Sequence, residues 1–310
     1  MGLAEKVVLH PVHPPGLAEL IGSEPGVDVV RPESHEDVVV ALQAEAPVLV
    51  TFAWDDDFIT GDLRWVQSLT AGMEQFPLDA LREASIVLTS ARGVHAPAVA
   101  EHAIALLMAS VRNIGGAMRD VPTRGWVWGR PAFEIGGRTL GVIGLGHVGE
   151  HVARLAAGLG MRVIGTKAHP EGYAGIAERV LGPDGALEVC AEADVVVVAV
   201  PAGAAAGPVI GREALEQLGA GWLVNVGRGS AVDEQALVDA LTSGELRGAG
   251  LDVFETEPLP ADSLLWELPT VVITPHTAWA SDRLPERMAE RFLTNLTAFR
   301  GEREWLDRWV

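Results

Sequence analysis

A chain of 310 residues, 48% hydrophobic and 21% charged, carries enough apolar sequence for sizeable cores and too much for a disordered polymer. Its formal net charge of −19 repels phosphate backbones and anionic headgroups, which argues against nucleic-acid and membrane partners. Apolar runs such as residues 195–200 are far short of the ~20 residues of a membrane helix, and the N-terminus lacks a basic start followed by an apolar stretch, so a cytoplasmic protein is expected.

Short apolar runs then alternate with helical patterns, which predicts parallel sheets with helices on both faces. Residues 6–10, 27–31, 47–52, 65–70 and 86–89 read as strands of a small doubly wound unit. From Ala96 to about Arg119 the spacing of Ala103, Ile104, Leu107, Met108 and Val111 predicts one long helix. The stretch 121–137 is rich in Gly, Pro and Trp and reads as an extended loop bearing Trp126 and Trp128. A second series follows, with strands over 139–143, 162–166, 194–200, 222–226, 249–253 and 270–274. Six strands joined by helices match the count of a dinucleotide-binding fold. The single cysteine, Cys190, precedes an apolar strand and reads as a buried structural thiol. The tail from Ser281 reads as a helix returning to the first unit.

Gly144-Leu145-Gly146-His147-Val148-Gly149 is a G-x-G-x-x-G. Alone it is a weak signal. Here it follows the run 140–143 and opens an amphipathic stretch over 148–159, the context that makes it a dinucleotide fingerprint. The first glycine permits a sharp turn, the second a close approach to pyrophosphate, the third helix–strand packing. The helix N-terminus offers free N–H groups to the anion. His147 and His151 have metal-ligand spacing, but no third ligand is evident and no metal is expected. An acid about 20 residues past the loop ordinarily holds the ribose hydroxyls of NAD. This chain has Lys167 there, and only Lys6 is a second lysine among its 23 basic residues. A cation suits a 2′-phosphate, so NADP(H) is expected ahead of NAD(H).

The second half reads as a run of phrases: Leu223-Val224-Asn225-Val226-Gly227-Arg228-Gly229, then Gly250-Leu251-Asp252-Val253-Phe254-Glu255-Thr256-Glu257-Pro258, then Pro275-His276-Thr277-Ala278. In this order after this loop they resemble the D-isomer-specific 2-hydroxyacid dehydrogenases, a family that includes glyoxylate/hydroxypyruvate reductases, D-lactate, D-3-phosphoglycerate and formate dehydrogenases. The resemblance is strong from about Gly93 to His276. It implies an α/β fold of two doubly wound parallel-sheet domains. The Rossmann nucleotide-binding domain would span 94–277, and a smaller flavodoxin-like substrate domain would combine 1–93 with 278–310. It implies a catalytic set of Arg228, Glu257 and His276. It also implies cofactor contacts along the glycine loop and at Lys167, Val200, Pro201, Val226, Asp252 and Ala278.

The chemistry of those residue types agrees. A guanidinium grips a substrate carboxylate and polarises a ketone. An imidazole donates a proton near neutral pH, and a carboxylate beside it fixes its tautomer. Glu255 competes with Glu257 for that place. The family resemblance further implies that the loop of Thr70, Ala71 and Gly72 receives the substrate carboxylate, together with Arg228 and His276. Two departures stand out. Residues 202–207 are Ala and Gly where relatives carry Leu-Thr and polar residues, and Trp279 follows where many have Gly or Ser. Trp279 would shape the substrate pocket or pack at a domain interface.

The expectation is therefore a homodimeric 2-oxo-acid reductase with no C-terminal regulatory domain. Two alternatives stay open: an NAD-dependent D-3-phosphoglycerate-type dehydrogenase, and a non-catalytic, nucleotide-sensing corepressor-like binding protein.

Overall fold

The computed structural model describes residues 4–201 and 207–310. The Ala-Gly stretch singled out after Pro201 lies, but for Gly207, outside them. The chain divides into two compact units, residues 1–95 with 281–310, and residues 96–280.

In the first unit the apolar runs form β1 (Glu5–Leu9), β2 (Val27–Val30), β3 (Val48–Thr51), β4 (Trp65–Ser68) and β5 (Val87–Thr89). They pair in parallel in the order β2-β1-β3-β4-β5, the flavodoxin-like arrangement. β3 and β4 are buried at every position, as continuous apolar strands covered on both faces must be. The helix Leu284–Phe299 covers one face. Its Phe292 stacks on the buried Trp65 at 5.1 Å between ring centres, and Asn295 donates to Gln67 at 3.0 Å.

The second unit holds β6 (Thr139–Ile143), β7 (Arg162–Thr166), β8 (Arg179–Leu181), β9 (Val195–Val198), β10 (Trp222–Asn225), β11 (Gly248–Leu251) and β12 (Val271–Ile273). All pair in parallel, in the order β12-β11-β10-β9-β6-β7-β8. This is a Rossmann sheet with one added strand. β8 is the strand the sequence pattern does not announce. It is three residues long, half-buried throughout, and sits at the sheet edge, so it needs no apolar alternation.

The expected single helix over 96–119 is two helices, Ala96–Val111 and Ile114–Asp120. Between them Asn113 turns to φ +56, a left-handed conformation that asparagine tolerates better than most residues. The first helix buries Val99, Ala100, Ala103, Leu106 and Leu107. Gly250 of β11 lets it approach, since a Cβ there would come 2.8 Å from the Leu106 Cβ. Cys190 is buried, and burial alone pushes its thiol up to about 12, which makes it chemically inert at neutral pH. Among the described residues no helix is long and apolar enough to cross a membrane.

Candidate active site

The second unit gathers its chemically distinctive residues at one edge of one sheet. β6, β7, β9, β10, β11 and β12 end at Ile143, Thr166, Val198, Asn225, Leu251 and Ile273. The glycine loop, Lys167, Val200, Arg228, Asp252 with Glu257, and His276 follow these ends directly. Ligands of open α/β sheets bind outside the carboxyl ends of the strands.

The glycine loop has the geometry its sequence implies. Gly144 lies at φ +99, and a Cβ on it would come 2.7 Å from Val200 Cγ1. Its N–H donates to Thr166 Oγ1 at 3.1 Å. A Cβ on Gly149 would run into the Gly144 carbonyl, so only glycine lets the helix His147–Gly158 start so close to the strand. Gly146 differs from both. Its φ of −93° suits any residue, and a Cβ there would meet nothing within 4 Å. Nothing in the protein therefore demands glycine at 146, whereas close approach of a pyrophosphate does. The cradle fits a dinucleotide.

Lys167 is partly exposed and is not simply presented to a ligand. Its ammonium donates to the Leu145 carbonyl, stands 3.9 Å from Glu150 Oε1 and lies 5.8 Å from the centre of the Tyr173 ring. Glu150 in turn accepts from the Tyr173 hydroxyl at 3.1 Å. The lysine is thus folded back onto the glycine loop, with its charge shared by a carboxylate.

Arg228 sits on a turn that Asn225 clamps from both sides. The Asn225 side chain donates to the Arg228 carbonyl at 3.0 Å and accepts the Gly227 N–H at 3.1 Å. A Cβ on Gly229 would collide with the Phe254 carbonyl, so glycine here allows the Arg228 turn to abut the segment leading to Glu257. The exposed guanidinium bonds the Gly227 carbonyl at 2.9 Å and forms no ion pair with an acid among the described residues.

Glu257 and His276 are in direct contact, His276 Nδ1 to Glu257 Oε2 at 2.6 Å. The other carboxylate oxygen accepts the Phe254 N–H at 3.0 Å, so the acid is held at both ends. An ionised carboxylate only accepts, which puts the hydrogen of this bond on Nδ1 and leaves Nε2 for proton transfer. Glu255 is otherwise engaged: it exchanges two hydrogen bonds with Glu234, Glu234 N–H to Glu255 Oε1 at 3.3 Å and Glu255 N–H to Glu234 Oε2 at 3.1 Å. The competition between the two acids is decided by these partners.

Asp252, expected to touch the cofactor, is buried and has its carboxylate taken up by the loop 274–278. Burial pushes its pKa up. Hydrogen bonds from His102, Thr274 and the backbone of Thr277 and Ala278 outweigh this and hold it at about 2. Val226 and Ala278 are buried, and Val200 and Pro201 follow β9, with Val200 against Gly144 of the glycine loop. Trp279 donates its Nε1–H to the His276 carbonyl at 3.0 Å, a further tie on the same loop. Sequence reasoning passed over Asn225, His102 and Thr274. Their partners lie on other elements or in turn geometry, and a spacing pattern carries no signal of either. Among the described residues no group of three or more His, Cys, Asp or Glu could hold a metal ion.

In the first unit, the Thr70 hydroxyl donates to the Gly72 carbonyl at 2.7 Å and Ser68 Oγ lies 2.8 Å from Thr70 Oγ1. The N–H groups of Ala71 and Gly72 donate to no protein acceptor among the described residues. The Glu74 carboxylate lies against Gly72.

Residues 104–278 match the model of the D-isomer specific 2-hydroxyacid dehydrogenase NAD-binding domain. The chain belongs to the D-isomer specific 2-hydroxyacid dehydrogenase family. It is 39% identical to the glyoxylate reductase of Korarchaeum cryptofilum over 251 residues, 77% of this chain and 74% of that one. It is 35% identical to the D-3-phosphoglycerate dehydrogenase of Mycobacterium leprae over 298 residues, 93% of this chain but 53% of that protein, so it spans about half of that relative's length. Among solved structures, the NADPH-dependent glyoxylate/hydroxypyruvate reductase of Sinorhizobium meliloti superposes with a TM-score of 0.80 at 26% identity, covering 98% of this chain and 97% of that one. As a D-2-hydroxyacid dehydrogenase family member, the chain is an oxidoreductase of small 2-oxo or 2-hydroxy acids that uses a nicotinamide cofactor.

Proposed function

We propose that this chain is an NADP(H)-preferring reductase of small, glyoxylate- or hydroxypyruvate-like 2-oxo acids, with Arg228, Glu257 and His276 as its catalytic set. The observation that carries the reading is the 2.6 Å contact between His276 and Glu257 at the carboxyl edge of the sheet that also bears the glycine loop. When bound, the nicotinamide exchanges the hydride. His276 Nε2 delivers the proton to the ketone oxygen, and Glu257 steadies the imidazole through both protonation states. The Arg228 guanidinium grips the substrate carboxylate and polarises the carbonyl. The N–H groups of Ala71 and Gly72, which meet no protein acceptor among the described residues, are suited to a carboxylate. Residues 144–149, with Val200, Pro201, Val226 and Ala278, form the cofactor wall, Asp252 supports the loop behind it, and Lys167 favours a 2′-phosphate. In this reading residues 96–280 are the nucleotide unit and the remainder the substrate unit. The protein works in the cytoplasm as a homodimer, using the segment 114–128, whose Trp126 and Trp128 are 81% and 84% exposed.

The relatives named D-3-phosphoglycerate dehydrogenase favour a second reading, NAD-linked oxidation of a phosphorylated hydroxy acid. The Glu74 carboxylate against Gly72 opposes a phosphate at that loop. Initial rates for a panel of 2-oxo acids and for D-3-phosphoglycerate, each with both cofactors, separate the two. Turnover of the short unphosphorylated acids with NADPH supports the first. Turnover confined to the phosphorylated substrate with NAD supports the second. No turnover with any pair would favour the corepressor-like alternative.

A further inference from the structure

The loop that carries His276 is wrapped around one carboxylate. Asp252 Oδ1 accepts the Thr274 hydroxyl at 2.6 Å and the Thr277 N–H at 3.0 Å, and Oδ2 accepts the Ala278 N–H at 3.0 Å. The Asp252 carbonyl accepts the His276 N–H at 2.8 Å. These bonds hold His276 at φ +52, in the left-handed region that side-chain-bearing residues seldom adopt.

One side chain from outside the loop enters this network. His102, on the helix Ala96–Val111, places Nε2 2.8 Å from Thr274 Oγ1 and 3.4 Å from Asp252 Oδ1. The threonine hydroxyl has a single hydrogen, already given to Asp252. His102 Nε2 is therefore the donor, and the bonds run in one direction from His102 through Thr274 to Asp252. The helix beneath is anchored by seven buried apolar side chains and by the close contact of Leu106 with Gly250, so it is a firm point from which to hold a loop.

We infer that His102 is a positioning residue for His276. It orients the Thr274 hydroxyl, which orients the Asp252 carboxylate, which fixes the backbone of residues 276–278. The inference rests on the reading of His276 as the proton donor. Proton transfer is steeply sensitive to placement, so loosening this loop affects turnover more than binding.

The test uses His102→Leu, His102→Gln and Thr274→Val in the full chain, with His276→Asn in parallel. Glutamine can place an N–H donor near the position of Nε2. His102→Leu is expected to lower kcat by about tenfold or more with KM for the 2-oxo acid and for the cofactor little changed. His102→Gln should restore most of the loss. Thr274→Val should match His102→Leu, and the double variant should be no worse than either alone, because both cut one chain of bonds. Melting temperatures read alongside exclude simple unfolding. The inference is overturned if His102→Leu keeps wild-type kcat, if His102→Gln is as impaired as His102→Leu, or if the two defects add. A near-normal His276→Asn enzyme overturns the underlying reading itself. An inactive His276→Asn beside a normal His102→Leu overturns this inference alone.

Discussion

His276 and Glu257, nineteen positions apart in the chain, are joined Nδ1 to Oε2 at 2.6 Å, and the acid's second oxygen is pinned to the Phe254 N–H. The arrangement fixes the imidazole's tautomer without leaving the carboxylate free to swing. Glu257→Gln keeps the shape and removes the charge. We expect it to lower kcat by about 10–100-fold, and His276→Asn by about 10²–10⁴-fold, with cofactor binding retained. Steady-state kinetics beside a fluorescence titration with cofactor checks both, and wild-type kcat in either variant would contradict the assignment.

Arg228 is exposed, clamped through its backbone by Asn225, and has no acid partner among the described residues. Arg228→Ala should raise KM for the 2-oxo acid and lower kcat together, a loss of about 1.5–3 kcal/mol in kcat/KM or more. Arg228→Lys should recover only part, since an ammonium lacks the fork that matches a carboxylate. Full recovery by lysine would show that charge alone matters there.

The glycines of the loop should separate by experiment. Gly149→Ala drives a Cβ into the Gly144 carbonyl and should cost about 1–3 kcal/mol of stability. Gly146→Ala meets open space and should change stability by about 1 kcal/mol or less, yet weaken cofactor binding by about tenfold or more. Denaturant unfolding and cofactor titration on the same preparations read the two effects. Unchanged affinity in Gly146→Ala would remove the reason for glycine at that position.

Lys167 should give NADPH a lower KM than NADH, but Glu150 at 3.9 Å shares its charge. Two unit charges about 4 Å apart are worth about 1 kcal/mol in water, or roughly fivefold to tenfold in the ratio. Lys167→Asp should abolish or reverse the preference, and Glu150→Gln should sharpen it by freeing the ammonium. The preference should shrink as salt rises. A wild-type enzyme faster with NADH, or a ratio indifferent to Lys167→Asp, would refute the assignment.

Asp252 gives the protein an acid limb of stability. Its folded pKa of about 2 lies below the ordinary 3.8, so its contribution is complete above about pH 4 and is lost as pH falls through about 2. The difference corresponds to about 2 kcal/mol. Asp252→Asn should lose at least that much at neutral pH and should show a flatter stability profile between about pH 4 and 2. Urea unfolding across that range measures both. A variant as stable as wild type at pH 7 would mean the carboxylate contributes no net stabilisation.

The sequence by itself determined everything that rests on local pattern. Apolar runs at strand length located eleven of the strands in the two sheets, because burial on both faces writes itself into consecutive residues. The glycine loop was legible because turn, close approach and helix packing each need glycine at a fixed spacing, and the phrases around Arg228, Glu257 and His276 were legible as family resemblance. Tertiary structure decided what depends on partners far away in the chain. It chose Glu257 over Glu255, since Glu234 occupies the latter. It broke the long helix at Asn113 and added β8 at the edge, where pairing needs little apolar signal. It folded Lys167 onto Leu145 and Glu150, and it turned Asp252 inward to bind Thr274, Thr277 and Ala278. Contacts of this kind join groups seventeen or more positions apart, and such pairings leave no periodicity for a sequence to display.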